Sequence, residues 1–425
     1  MDIKPSEKFR VYINGQEVFV YQCEVASYAL FSASNNLEIE IEILFSYEKV
    51  KIRPLTKEIQ YEIKDNIMKI KSDNPQKLSL EFDDDITNPL FLLINPPVTN
   101  KPDPADPGVH YFASGKTYDI GLMELQEDET VYIEERAVVR GAFTAHQADN
   151  ITIKGRGIID GSKWHNRDDS ERPKMFTPVR CSNVTVEGVT WINGPSWHVV
   201  PIACENVLIE NINIISVVMT GDGIDVVGSE DVIINNCFMR TNDDCIALKA
   251  VSYDDQAGCK NVRDVKVTNC VLWNASCGNA LEIGYETRAE VIENIIFEDC
   301  DIIRCEYEGH QSGGTFTIHN GDRALIKNVL YRNIRVEDSR EKLIDIKILF
   351  SKYSNDETRG QVQDIKFQDI KIIDGKLPVS IIRGYNEEHM INDVIIEDLF
   401  YKGEKITNAN QAKMVVELAN NINFV

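Results

Sequence analysis

Four aspartates crowd into one short stretch of the chain. Asp222 and Asp225 lie in Thr220-Gly221-Asp222-Gly223-Ile224-Asp225, and Asp243 and Asp244 in Asn242-Asp243-Asp244-Cys245. Ionised carboxylates oppose one another's ionisation, so a crowded group can keep one proton at neutral pH beside charged partners. Such a patch costs stability and is seldom built merely for solubility, which makes it a candidate site. The same oxygens could instead cage a calcium ion or line a solvated acidic turn. Lys249 and Arg240 flank the cluster as its charge partners, and Asp225 reads as a residue that shapes the turn. No Cys-x-x-Cys pair suggests zinc or a redox centre, and no metal or cofactor is expected.

Something must bring Asp222 and Asp243 together, and a repeat does so. An Asn or Asp followed by Val or Ile recurs at Asn150, Asn183, Asn206, Asp231, Asp264, Asn294, Asn328, Asp364 and Asp393, at intervals of 33, 23, 25, 33, 30, 34, 36 and 29 residues. In most copies an Asn, Asp or Gly falls five residues later, as in Asn183 to Gly188 and Asp231 to Asn236. The segments between are short and β-branched, which excludes helical repeats of similar period. Units of this kind cannot bury their apolar faces alone and stack into a solenoid, here a right-handed parallel β-helix. The step from Asp222 to Asp243 is 21 residues, near the shortest coil, so the two carboxylates belong on adjacent coils, stacked about 4.8 Å apart.

Ahead of the repeat, residues 1–96 alternate in short strands broken by polar turns: Phe9 to Ile13, Leu37 to Leu44, Lys49 to Ile52, Ile67 to Ile70 and Leu78 to Phe82. This predicts a small antiparallel β-sandwich that covers the first coil and carries no catalytic residue. Five of the chain's fourteen prolines fall between Pro96 and Pro107, making 97–108 an extended linker. Residues 109–425 form the β-helix. The expected class is all-β.

Composition removes several functions. The 425 residues are 43% apolar and 27% charged, as in a soluble globular protein, and no run is long and apolar enough to span a membrane. A net charge of −23 opposes nucleic acid and anionic membranes as partners. The first twenty residues, with Asp2, Lys4, Glu7, Lys8 and Arg10, lack the apolar core of a secretory signal, so a cytoplasmic location is expected unless a leader has been removed. Ten scattered cysteines fit free buried thiols in a reducing compartment. Oligomeric state is not legible.

The runs Gly194-Pro195-Ser196-Trp197-His198, Thr220 to Val226, and Asn242-Asp243-Asp244-Cys245-Ile246-Ala247-Leu248-Lys249, together with Gly157-Ile158-Ile159-Asp160-Gly161 and Trp164, resemble glycoside hydrolase family 28, the polygalacturonases. They are also similar to the related family 49 of dextranases and isopullulanases. The resemblance implies hydrolysis of a glycosidic bond with inversion, Asp243 acting as general acid and Asp222 and Asp244 activating the water. For such a pair about 6.5 to 9.5 Å between acid and base is expected, which neighbouring coils could supply. Family 28 continues with Gly-His-Gly and Arg-Ile-Lys, where this chain has Gly278-Asn279-Ala280 and Thr317-Ile318-His319. Gly309-His310-Gln311 and Asp345-Ile346-Lys347 imitate these motifs but fall off the matched coils.

In polygalacturonases the missing cations hold a sugar carboxylate. Their loss favours a neutral poly- or oligosaccharide, an α-glucan or galactoside, over galacturonan, unless Arg288 or Arg323 is recruited. Trp197, His198, Asn279, Glu282, Glu286 and His319 are the candidate substrate-binding residues, with Trp164 and His165 further along the groove. Alternatives are a pectin-type exo-hydrolase, a polysaccharide lyase, which the absence of a neighbouring cationic base disfavours, and a non-catalytic carbohydrate-binding β-helix. A cytoplasmic location would favour exo action on imported oligosaccharides.

Overall fold

Two residues in each coil decide how the chain turns. Asn150, Asn183, Asn206, Asp231, Asp264, Asn294, Asn328, Asp364 and Asp393 all take left-handed backbone, with φ between +53° and +59°. Five residues on from Asn183 and its seven successors, Gly188, Asn211, Asn236, Asn269, Asp299, Asn333, Asp369 and Asp398 do the same, with φ between +49° and +77°. Asn and Asp tolerate this region because their short polar side chains bond locally, whereas a β-branched residue would clash. The side chains also stack: Asn183 Nδ2 donates to Asn150 Oδ1 at 2.9 Å, and Asn206 Nδ2 to Asn183 Oδ1 at 2.6 Å. The repeated polar residue is thus a turn and a ladder at once.

Between these turns the alternation of strand side chains fills the core. Val184 and Val186, Val207 and Ile209, Val232 and Ile234, Val265 and Val267, and Ile295 and Phe297 point inward on successive coils and are buried. Each such side chain contributes roughly 1.5–3 kcal/mol when fully buried, so register is fixed by the sum over coils. The computed structural model describes residues 4–164, 172–252, 258–306 and 313–425. From Val109 onward the strands form a 22-stranded sheet and a seven-stranded one, in both of which successive coils pair in parallel. They wrap one apolar interior running from Phe112 to Met414. This is a parallel β-helix. No helix among the described residues is long and apolar enough to cross a membrane. All ten cysteines are unbridged, seven of them buried.

The strands of residues 4–95 build two further sheets around a core that includes Phe9, Ile39, Leu80 and Leu92. One is antiparallel throughout; the other is antiparallel except where Ser27–Ser32 runs parallel to the end of Asp85–Asn95. Both of those strands escaped the sequence reading. Ser27–Ser32 is almost wholly buried and Asp85–Asn95 becomes continuously apolar towards its end, so neither alternates clearly. No helix or strand falls between Asn95 and Val109, and Arg156 pins this stretch by donating to Pro96 O at 3.1 and 2.8 Å.

The sandwich covers a flank rather than the first coil. Tyr21, Tyr28, Phe91 and Leu93 pack with Val138, Ile158, Ile192, Ile215, Phe238, Val271, Trp273 and Ile303, a stripe crossing many coils. Arg53 is buried at this contact, paired with Glu81 at 3.2 Å, with Asp374 at 3.2 Å and with Glu337; Arg304 also bonds Glu81. The expectation of an end cap fails because the apolar surface to be covered lies along the side.

Candidate active site

The seven-stranded sheet positions the cluster. Its second strand, Ile246–Ala250, sends Ile246, Leu248 and Ala250 into the core, which turns Ala247 and Lys249 to the opposite face. Register then builds two columns on that face. Asp225, Ala247, Glu282, Thr317 and Asp345 follow one another on successive coils, and His319 precedes Lys347 in the second column. Asp222, Asp243 and Asp244 lie just before the strands that begin at Ile224 and Ile246, where the chain is free of strand pairing. One oxygen from each lies within 4.8 Å of the others. A water at the centre of a triangle of that side would stand about 2.8 Å from every corner, ordinary hydrogen-bonding distance.

The coils around them fix these carboxylates differently. Asp244 Oδ1 accepts from Asn279 N at 2.9 Å and from Asn279 Nδ2 at 2.8 Å, while Asn279 Oδ1 accepts from Gly314 N at 2.9 Å. Asp222 Oδ2 meets Lys249 Nζ at 2.8 Å, and its Oδ1 is buried with no hydrogen-bond partner among the described residues. His198 lies underneath, its Nδ1 2.8 Å from the backbone oxygen of Asp222. Asp243 is half-buried, and its backbone oxygen accepts from Thr241 Oγ1 at 2.7 Å and Asn274 Nδ2 at 2.9 Å. Gly278 closes the arrangement. At its φ of +72°, a Cβ would stand 2.5 Å from Asp243 Oδ1 and 2.6 Å from Asp244 N, so only glycine lets these coils approach.

Proton affinities separate accordingly. Burial, then the charges of Asp222 and Asp244, push the Asp243 carboxyl up to about 10. Asp244 rises only to about 7, because Lys249 and the Asn279 amide offset its burial. Lys249 is held well above its ordinary value: burial opposes its charge, but Asp222, Asp225 and Asp244 outweigh that. An ammonium so held is no base. Lys249 is thus the charge partner its nearness in sequence suggested, in a form that cannot serve a lyase as base. Arg240 is not part of the cluster; its Nη1 donates to Ser216 O at 2.8 Å and to Asn242 Oδ1 at 2.5 Å. Nor does Asp225 shape a turn, being a buried strand residue 2.7 Å from Lys249 Nζ.

Several expected sugar contacts are corrected by burial. Glu282 is fully enclosed, bonded to His319 Nδ1 at 2.9 Å and to Thr317, so it faces neither sugar nor solvent. His319 is enclosed too, its Nε2 3.2 Å from Asp345 Oδ2 and its ring stacked on Tyr285 at 4.5 Å. Burial disfavours its charge, but Glu282 and Asp345 prevail and raise it to about 9, so it is a cation at neutral pH with both nitrogens engaged. His198 and Asn279 are buried against Asp222 and Asp244, which they bond. Trp197 and Glu286 stay half-buried, though the Lys249 ammonium lies over the Trp197 ring, 3.9 Å from its centroid. Lys347 sits one coil beyond His319 and pairs with Asp345 at 2.9 Å. Arg288 and Arg323 both pair with Asp356, at 3.0 and 2.9 Å. Trp164 packs on the core; His165 and Gly309-His310-Gln311 lie outside the described residues.

With this geometry in hand, comparison with known proteins is decisive for the family. The model of glycosyl hydrolases family 28 matches residues 121–415, more than half the chain. The chain belongs to that family. Polygalacturonase QRT2 of Arabidopsis thaliana is 23% identical over 236 residues, covering 53% of this family 28 chain and 49% of QRT2. A second curated relative, a probable polygalacturonase of the same plant, is 22% identical over 47% of this chain and 44% of its own length. The match thus spans about half the length of these relatives. Among solved structures, Dex49A from Penicillium minioluteum superposes with a TM-score of 0.73 at 14% identity, covering 98% of this chain and 93% of that one. A hyperthermoactive exopolygalacturonase from Thermotoga maritima gives 0.55 at 19% identity, covering 75% and 85%. These likenesses establish the shared fold.

Proposed function

We propose that the protein hydrolyses glycosidic bonds of a poly- or oligosaccharide, with Asp243 donating a proton to the leaving oxygen while Asp222 and Asp244 hold and activate water. The observation that carries this is the convergence of three carboxylates on one water-sized spot, with Asp243 pushed up to about 10 and thus protonated at neutral pH. Attack by that water from the face opposite the leaving group inverts the anomeric centre. Asp222 Oδ1, buried with no hydrogen-bond partner among the described residues, favours a second, retaining course. In that course the bare Asp222 Oδ1 would bond the sugar first. Proton NMR of the first-formed anomer distinguishes the two: inversion is expected, and a retained anomer would replace water attack by a covalent step at Asp222.

The substrate class we infer is neutral, an α-linked glucan or galactoside. Support comes from the coil that answers to the family's cationic clamp, where Thr317 carries no charge and His319 gives both nitrogens to Glu282 and Asp345. Arg288 and Arg323 are likewise paired with Asp356. An unpaired sugar carboxylate buried there would cost several kcal/mol. Galacturonan is the second reading, favoured by the names of the curated relatives. A chromatographic panel of neutral α-linked and pectic oligosaccharides, with D243N as the blank, tests the choice. Faster hydrolysis of oligogalacturonides than of any neutral member would reverse it. In this reading residues 1–96 are an accessory module, 97–108 a linker and 109–425 the catalytic body, wound right-handedly as parallel β crossovers are.

A further inference from the structure

The ammonium of Lys249 reaches three carboxylates at once. Nζ lies 2.7 Å from Asp225 Oδ1, 2.8 Å from Asp222 Oδ2 and 3.6 Å from Asp244 Oδ2. The contact with Asp222 is a hydrogen bond, and those with Asp225 and Asp244 are ion pairs. It is 4% exposed, and the Trp197 ring lies over it at 3.9 Å. Asp243 is not among its ion-pair partners, although Asp243 belongs to the same triangle of oxygens as Asp222 and Asp244. The strand pairing makes this asymmetry. Lys249 stands opposite Val227, two positions along from Asp225, and reaches back towards Asp222 at the mouth of the strand.

A cation a few ångströms away favours the ionised form of a carboxyl, and in a dry site the effect is large. Burial raises Asp225 well above its ordinary value although the ammonium touches it; of the three carboxyls that share the triangle, the ammonium contacts two, which leaves Asp243 as the one that keeps the proton. We propose that Lys249 is a positioning residue that divides the cluster, pairing with the two carboxylates, Asp222 and Asp244, that grip water and leaving Asp243 as the group that keeps the proton, with Asp225 as its third partner. This rests on the reading of Asp243 as proton donor. The other ionisable groups that bear on this set are Glu286 and Lys174, which act on the Lys249 end, and Glu282, which acts on Asp244.

Two substitutions in the full chain move the division in opposite directions. K249M removes the cation that lowers the proton affinity of Asp244, so Asp244 ionises less readily. The acidic limb of the pH–kcat profile shifts upward by about one unit or more, and kcat at neutral pH falls about a hundredfold with little change in KM. D225N keeps the ammonium but withdraws a competing carboxylate, and the same limb shifts downward. A merely structural ion pair would give no such opposed shifts. Infrared titration of the carboxyl C=O band in protein without substrate reads the same division independently of turnover: at neutral pH K249M gains protonated-carboxyl intensity beyond the Asp243 band of the parent. A folded K249M with an unmoved limb and no added intensity overturns the proposal. Should K249M fail to fold, an unmoved limb in D225N overturns it equally. If D243N proves active while the infrared shifts appear, the donor role of Asp243 falls and the division of charge by Lys249 stands; an inactive D243N without those shifts removes Lys249 alone.

Discussion

Replacing Asp243 by Asn should make the protein more stable as it makes it inactive. In the folded chain the Asp243 carboxyl is pushed up to about 10 from 3.8, mainly by burial and then by Asp222 and Asp244. At pH 7 folding must therefore place a proton on a group that is ionised in the unfolded chain. The sign follows: a raised folded value gives stability fully present below pH 3.8 and lost as pH rises towards the folded value. Between the unfolded value and pH 7 the loss is bounded at about 4 kcal/mol, from roughly 1.4 kcal/mol per pH unit. Asp243 is half-buried, and solvent in the groove reduces this to the order of 1–2 kcal/mol. Asparagine mimics the protonated acid without needing the proton. Urea unfolding of parent and D243N at pH 4 and pH 7 should give equal stabilities at the lower pH and a more stable variant at the higher, while kcat drops by about a thousandfold or more. Parallel pH dependences in the two proteins, or substantial turnover by D243N, would show that Asp243 does not hold the site's proton.

Asn279→Ala removes a side-chain bond that lowers the pKa of Asp244 from its otherwise still higher value; the acidic limb of the pH–rate profile should move upward from near 7, with kcat down about tenfold and KM little changed. His319→Phe leaves Glu282 and Asp345 buried without their shared cation, so thermal and urea unfolding should show a loss of about 3–5 kcal/mol, where a residue contacting sugar would chiefly raise KM. A chain beginning at Pro102 exposes Phe238, Val271 and Trp273 and leaves Glu337 and Arg304 without Arg53 and Glu81; light scattering should detect association, and a monomeric, fully stable product would refute the flank-covering role of the sandwich.

The repeat was legible because it is local chemistry. An Asn or Asp that must turn left-handed, then Val-x-Val, recurs coil after coil, and Asn183, Asn206 and Asp231 mean in the structure what they mean in the sequence. The pairing of Asp222 with Asp243 followed from the same count, since one coil of spacing becomes one step of stacking. Lys249 was legible as a partner by its nearness, yet the same argument wrongly enlisted Arg240, because a strand alternates and nearness does not say which face a side chain takes. Glu282 and His319 could be placed on their coils but not assigned their work. Whether a groove residue meets sugar or a neighbouring coil depends on what stands beside it, and Asp345, 26 residues after His319, settles that by supplying the second carboxylate. Gly278 could be matched to the family's Gly-His-Gly but not given a reason; its need for empty space arises only when Asp243 and Asp244 come within 3 Å of where its Cβ would be. The sandwich was readable as strands, whereas its place along the flank was decided by matching apolar stripes and by Arg53, whose partners Glu81, Glu337 and Asp374 meet only after folding. Periodicity sets which residues face inward, and the three-dimensional packing of coil on coil sets which of the remaining charges find each other.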